Sequence, residues 1–209
     1  MSDIRLFDYW RSSASYRVRI ALNLAGLDYE TVPVDLLDRA HKSPEHLERN
    51  PQGLVPVLDI DGQRLTQSLA MVEYIDETRK AGFLPADPAE RARVRALAYA
   101  VAVDVHPVCN LGVVAHVANL APGDTVREDW MRHFIAPGLA AFEKLLAGFP
   151  PARFCAGDAP GLADICLIPQ LYNAHRWGVS LDDFPRIRAV EAACAQHPAF
   201  DAAKPTKPE

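Results

Sequence analysis

Cysteine is scarce in this chain of 209 residues: Cys109, Cys155, Cys166 and Cys194 form no C-x-x-C pair and stand at no metal-ligand spacing from a histidine. No C-x-x-C redox motif or cysteine metal site is present, and reduced, structural thiols are expected. His41 and His46, five apart around Pro44, make no H-E-x-x-H motif, so no metal is expected. Positive charge is also short, with 22 Lys and Arg against 27 Asp and Glu and a formal net charge of −5. Without a basic run there is nothing to release counterions from a nucleic acid or to hold an anionic membrane surface. A long apolar run is missing too. The longest uncharged stretch, Val105 to Gly123, contains two prolines, two histidines and two asparagines and does not read as a span of about 20 apolar residues. The N-terminus has no basic region followed by an apolar one, so a cytoplasmic protein is expected. With 11 glycines and 17 prolines the chain is not of low complexity, and 49% hydrophobic with 23% charged residues is the composition of a globular protein.

The pattern changes character part-way along. Ile4 to Tyr9 reads as a strand, and Ser15 to Ala25 as a helix stopped by Gly26. Tyr29 to Val34 alternates as a strand, and Pro44 to Arg49 reads as a short helix. Val57–Ile60 and Arg64–Thr66 flank Asp61-Gly62, a strong hairpin signal. Ser68 opens a helix with Leu69, Val72 and Ile75 on its core face. The order βαβαββα over residues 1–84 makes an α/β domain. Pro85 and Pro88 mark a junction. Residues 88–209 read as all-helical, with helices over Ala89–Val105, Thr125–Leu146, Ala163–Trp177 and Ile187–Gln196.

Several positions carry polar chemistry, each with a plainer structural role beside it. Ser12 and Ser13 stand between strand and helix, where a hydroxyl caps the helix or also meets a ligand in the field of its N-terminus. Ser68, with Gln67, occupies the same kind of place before the third helix. His106 and Asn110 lie four apart, with Asp104 on the preceding turn, as if on one helix face kinked by Pro107. They make either a hydrogen-bonded core cluster or a binding face. Arg176 ends the helix that Asp164 begins, as a dipole cap or an anion ligand. Gly161 stands where a Ser or Thr would complete a capping box with Asp164.

The string Trp10-Arg11-Ser12-Ser13-Ala14-Ser15-Tyr16-Arg17-Val18-Arg19-Ile20-Ala21-Leu22 resembles the zeta-class glutathione transferase signature S-S-C-S-[WH]-R-V-R-I-A-L. Matches continue at Asn50-Pro51-Gln52, Val55-Pro56, Gln67-Ser68-Leu69-Ala70, Asp104 to Asn110 and Ala163 to Gln170, so the likeness spans nearly the whole chain. The resemblance implies the glutathione transferase fold, a thioredoxin-like domain with a cis-proline at Pro56 followed by the helical domain, and a homodimer meeting through the helix from Ala89. It implies glutathione as cofactor, held by Ser12, Ser13, His41, Val55, Gln67, Ser68, His106 and Asn110. Arg11 and Arg176 are implied as forks for the carboxylates of a small substrate. Ala14 replaces the usual cysteine, so chemistry that needs an enzyme thiol there is lost.

The implied activity is glutathione-dependent cis–trans isomerisation of a maleyl keto acid, with Ser12, Ser13, Arg11 and Arg176 at the reacting centre. Maleylacetoacetate is favoured over maleylpyruvate, because Leu111-Gly112 stand where maleylpyruvate isomerases carry an arginine pair. Glutathione conjugation or dehalogenation, and a transferase-like binding module without activity, are the alternatives.

Overall fold

The computed structural model describes residues 3–121 and 123–207. Its first unit comprises residues up to Gly82 together with the segment from His197, and its second runs from Phe83 to Gln196. In the first unit a four-stranded sheet has the order β2-β1-β3-β4, from β1 (Arg5–Asp8), β2 (Glu30–Pro33), β3 (Val57–Ile60) and β4 (Gln63–Thr66). The α1 helix (Ser13–Leu24) carries the chain from β1 to its parallel neighbour β2, as a crossover must. The β3–β4 hairpin closes through Asp61 (φ 52°) and Gly62 (φ 74°), the paired left-handed conformations that the Asp-Gly dipeptide tolerates.

Side-chain alternation divides the core. Leu6 and Leu58, opposite one another in the register, point away from the face where Phe7 and Val57 pack with Val34. That second face also takes Val32, Ala40 and Val55, which brings in the 3₁₀ turn Ala40–Lys42 that precedes α2 (Pro44–Arg49). The α3 helix (Ser68–Arg79) packs against α1.

One buried ion pair fixes the chain around the end of β1. Arg19 Nη1 donates to both oxygens of Asp8 at 2.9 and 2.7 Å, its Nε to the Ala203 carbonyl at 3.0 Å, and its Nη2 to the Trp10 carbonyl at 3.0 Å. The Ala203 bond involves α9 (Pro198–Ala203), which lies on α1, with Asn23 Nδ2 donating to the Ala199 carbonyl at 3.0 Å. The chain from His197, expected with the helical domain over 88–209, groups with the first unit, where the Ala199 and Ala203 carbonyls of α9 take donors from α1. The division also falls at Phe83, before the prolines: its buried side chain and its carbonyl, which accepts from Leu162 N–H at 2.9 Å, belong to the second unit.

The second unit holds α4 (Pro88–Ala102), α5 (Leu111–Leu120), α6 (Val126–Leu146), α7 (Leu162–Arg176) and α8 (Pro185–Ala195). Asp87 caps α4 by accepting from Ala89 and Glu90 N–H at 3.0 and 2.9 Å. The Glu143 carboxylate of α6 caps α8, accepting from Arg186 and Ile187 N–H at 2.9 Å each. Nearly every side chain of α7 from Leu162 to Leu171 is buried, so this apolar helix is the centre of the unit. At its start Asp164 accepts from Gly161 N–H and Cys155 N–H, both at 2.9 Å. Burial raises the Asp164 carboxyl above its ordinary pKa, and these N–H donors oppose the rise. The glycine has a steric cause: a Cβ on Gly161 would stand 2.8 Å from the Phe83 carbonyl oxygen, so no Ser or Thr fits there.

The helix expected over Ala89–Val105 stops at Ala102, and the kinked face expected to carry His106 and Asn110 does not form. Residues 103–110 are turns, and α5 begins after Asn110. Pro107 has no N–H and disfavours helical backbone at His106, so the chain leaves the helix instead of bending it. Among the described residues no helix is long and apolar enough to cross a membrane.

Candidate active site

The sheet register gathers the expected ligand-binding positions of the first unit at one end. Phe7 at the end of β1 lies opposite Val57 at the start of β3, which lies opposite Thr66 at the end of β4. The loop from β1 into α1, the residue pair before β3 and the junction from β4 into α3 therefore emerge side by side. Parallel pairing sends β2 the same way, since Pro33 lies opposite Asp8, and the turn carrying His41 follows.

Ser12 is the N-cap of α1. Its Oγ accepts from Ser15 N–H at 3.2 Å and its carbonyl from Tyr16 N–H at 2.8 Å, while its own N–H donates to the Tyr9 carbonyl at 2.8 Å. Capping uses the oxygen as acceptor and leaves the hydroxyl proton to donate, so the two readings of Ser12 are compatible. The N–H groups of Ser13 and Ala14 open the helix, where no intrahelical acceptor exists. No acidic side chain stands in this first turn, and the positive end of the helix dipole is uncompensated by carboxylate. Arg11, half-buried, lies with its guanidinium 5.2 Å from the Trp10 ring centre.

The Val55–Pro56 peptide is cis, as expected. The turn before it is rigidly tied. Leu54 C=O accepts from His46 Nε2 at 3.0 Å and Asn50 Nδ2 at 2.9 Å, and both donor residues are buried. Gly53 (φ 60°) lies against the 3₁₀ turn, where a Cβ would stand 3.0 Å from the His41 carbonyl oxygen. Burial of His41, then its neighbours Lys42, His46 and Arg39, hold that imidazole below its ordinary pKa.

At the third element Gln67 adopts φ 67°, ψ 108°, a backbone outside the ordinary regions for a side-chain-bearing residue. Strain of this kind costs about 1–3 kcal/mol and concentrates at ligand sites. Its Nε2 donates to Gln52 Oε1 at 2.9 Å. Ser68, buried, accepts at Oγ from Arg17 Nη1 at 3.2 Å, which leaves its own proton to donate. Arg17, Arg19 and Gln52 entered the sequence reading only as motif matches, with no role assigned. Two arginines two apart in an otherwise uncharged helix beginning after a serine pair were the available signal, and both are buried.

The remaining expected residues lie in the second unit. Asn110 caps α5, its Oδ1 accepting from Gly112 N–H at 3.0 Å, so its carbonyl is in use and its NH₂ is left to donate. His106 is half-buried in the preceding turn, its N–H donating to the Val101 carbonyl at 3.0 Å; Asp104 is exposed rather than part of a buried cluster. Arg176 ends α7 with its guanidinium 4.7 Å from the Trp177 ring centre. That indole is fixed in turn: its Nε1 donates to Asn173 Oδ1 at 3.1 Å, and Arg132 Nε donates to the Trp177 carbonyl at 2.8 Å.

Residues 2–77 match the glutathione S-transferase N-terminal domain and residues 124–193 its C-terminal domain. A maleylacetoacetate isomerase of Rhizobium meliloti is 61% identical over 204 residues, covering 97% of this chain and 96% of that protein. Among solved structures, a holo maleylpyruvate isomerase, a bacterial zeta-class enzyme, superposes with a TM-score of 0.93 at 41% identity, covering 96% of each chain. A maleylacetoacetate isomerase of Anaeromyxobacter dehalogenans with glutathione bound in its active site gives a TM-score of 0.87 at 43% identity, over 98% of this chain and 97% of that one. With both domain types in order and relatives matched along their full length, the chain belongs to the glutathione S-transferase family, in its zeta-class branch of maleylacetoacetate and maleylpyruvate isomerases.

Proposed function

We propose that the protein is a glutathione-dependent cis–trans isomerase that converts maleylacetoacetate to fumarylacetoacetate. The observation that carries this reading is the start of α1, where Ser12 keeps a hydroxyl proton while capping, beside the opening N–H groups of Ser13 and Ala14. A free thiol of pKa about 8.5 is only roughly 3% ionised at pH 7, and lowering that value to about 7 makes half of it thiolate. Donors and a positive helix end at one point favour the ionised form. The rest of the donor set suits a thiol tripeptide with two carboxylates: Val55 offers backbone N–H and C=O to the cysteinyl peptide, Gln67 and Ser68 face the γ-glutamyl end, and His41 the glycyl carboxylate.

Bound glutathione supplies a thiolate that adds to the activated alkene, allows rotation about the resulting single bond, and is expelled as the trans double bond re-forms. Ser12 and Ser13 stabilise the sulfur charge before addition and after expulsion. Arg11 and Arg176 hold the substrate carboxylates and stabilise negative charge on its carbonyl oxygen. His106 and the Asn110 NH₂ group serve the ligands from the turn before α5. Ala14 is compatible with this scheme, because the attacking sulfur is not the protein's. Four free, buried cysteines accord with a reducing, cytoplasmic setting. We also propose a homodimer, as an extension of the family assignment, to be checked by light scattering.

Maleylpyruvate is the second substrate reading, favoured by the overlap with the holo maleylpyruvate isomerase. Loss of maleylacetoacetate absorbance at substoichiometric glutathione, faster than that of maleylpyruvate, is the expected result. Stoichiometric consumption of glutathione would instead show a conjugating enzyme. Glutathione binding without turnover of either keto acid would show a binding module.

A further inference from the structure

We propose that Gln52 is a positioning residue for glutathione: it sets the amide plane of Gln67 and ties the turn that presents Val55 to the element that receives the γ-glutamyl group. The inference rests on the reading of Gln67 as a γ-glutamyl contact.

The Gln67 side chain makes no cap for α3 and is exposed, so helix formation does not decide which way its amide lies. Its bond to Gln52 Oε1, at 2.9 Å, does. Gln52 is itself held at both backbone groups, its N–H donating to Asn50 Oδ1 at 3.1 Å and its carbonyl accepting from Lys42 Nζ at 3.2 Å. Asn50 is buried and also secures the Leu54 carbonyl, immediately before Val55. A chain of bonds therefore runs from the residue pair at the cis-proline, through Asn50 and Gln52, to Gln67.

Stereochemistry gives this chain a purpose. A γ-glutamyl group carries an α-ammonium and an α-carboxylate on one carbon, so its receptor must present an acceptor and a donor in fixed relation. With one Gln67 N–H spent on Gln52, the remaining Nε2–H and Oε1 supply that pair in one plane. Without Gln52 the amide rotates among alternatives, and ligand binding has to order it. Immobilising a side chain of this kind corresponds to about a three- to tenfold change in affinity.

The test is titration calorimetry of glutathione and of cysteinylglycine, which lacks the γ-glutamyl group, against the whole protein and the Q52A, Q67A and Q52A/Q67A variants. Expected are a three- to tenfold rise in glutathione Kd for Q52A, no further rise for the double variant over Q67A, an unchanged cysteinylglycine Kd in Q52A, and an unchanged Tm. An unaltered glutathione Kd in Q52A, with a weakened Q67A, overturns the role of Gln52. So do additive effects in the double variant, or an equal loss for cysteinylglycine. If Q67A itself binds glutathione normally, the reading of Gln67 fails, and this inference with it.

Discussion

The start of α1 and the end of α7, the two helix ends proposed above to meet the ligands, are built in opposite ways. At the start of α1 the helix dipole is positive, no acidic residue intrudes, and neutral donors suffice: a serine hydroxyl and main-chain N–H groups. At the end of α7 the dipole is negative, and the last turn carries His175 and Arg176, with Arg132 bonded to the Trp177 carbonyl just beyond. His175 is engaged by Glu191 at 2.6 Å, whereas Arg176 is spread over an indole. A site made of backbone follows from the fold and tolerates few changes. One made of a side-chain cation at a negative helix end depends on the identity of one residue and on what orients it.

Four experiments sharpen this contrast. The largest effect is expected where the backbone site is anchored: R19L leaves Asp8 buried without its cation and should cost about 3–5 kcal/mol in urea unfolding. A stability equal to that of the parent chain would show that the Asp8–Arg19 pair does not hold the loop into α1. Next, S12A should lower kcat/KM about 10²-fold and raise the thiol pKa of bound glutathione, followed by thiolate absorbance, while costing about 1 kcal/mol of stability for the lost cap. A purely capping serine would move stability and leave the thiol pKa where it was.

At the α7 end, R176A should raise KM for the keto acid about 10- to 100-fold with glutathione Kd unaltered, the cost of a lost charge-assisted carboxylate contact. W177F should retain the stack and most of the affinity, and W177A should lose about threefold. Parallel losses in glutathione Kd would place Arg176 in a different role. The smallest effect concerns His41, which is held below its ordinary pKa in the free protein. A glycyl carboxylate beside it raises that pKa, so binding takes up a proton and tightens as pH falls through the histidine range. S-methylglutathione, which has no thiol to ionise, should therefore bind about threefold more tightly at the acid end of that range, and H41N should abolish the trend.

Local chemistry made much of the first unit legible. Pro44–Arg49 forms its helix at the expected bounds, with Ser43 Oγ accepting from His46 N–H at 3.2 Å, and the Asp-Gly hairpin closes as its dihedral needs dictate. Most other strand and helix ends moved by a residue or two, as fraying termini do, and the end of α4 moved by three, from Val105 to Ala102. Two helices were missed. The α5 pattern is apolar nearly all round and has no two-sided periodicity, and α9 is a six-residue piece whose helical state depends on packing against α1. His106 and Asn110 were misplaced on a common helix face because spacing by four has meaning only where the backbone remains helical, and at Pro107 it does not.

The motif string and its order were enough to identify the family and the elements that carry Ser12, Val55, Gln67 and Ser68, because turns, caps and the serine-to-helix junction are decided within a few residues of themselves. Their partners came from elsewhere in the chain, Arg17 for Ser68 and Gln52 for Gln67, and Arg19 likewise gathers Asp8, the Trp10 carbonyl and the distant Ala203 carbonyl. Long side chains reach across a sheet or between helices, and only tertiary packing decides which of many possible acceptors is brought within 3 Å. The same holds for Gly161, which the sequence presents as an incomplete cap and which the close approach of the Phe83 carbonyl explains as the one residue small enough to fit.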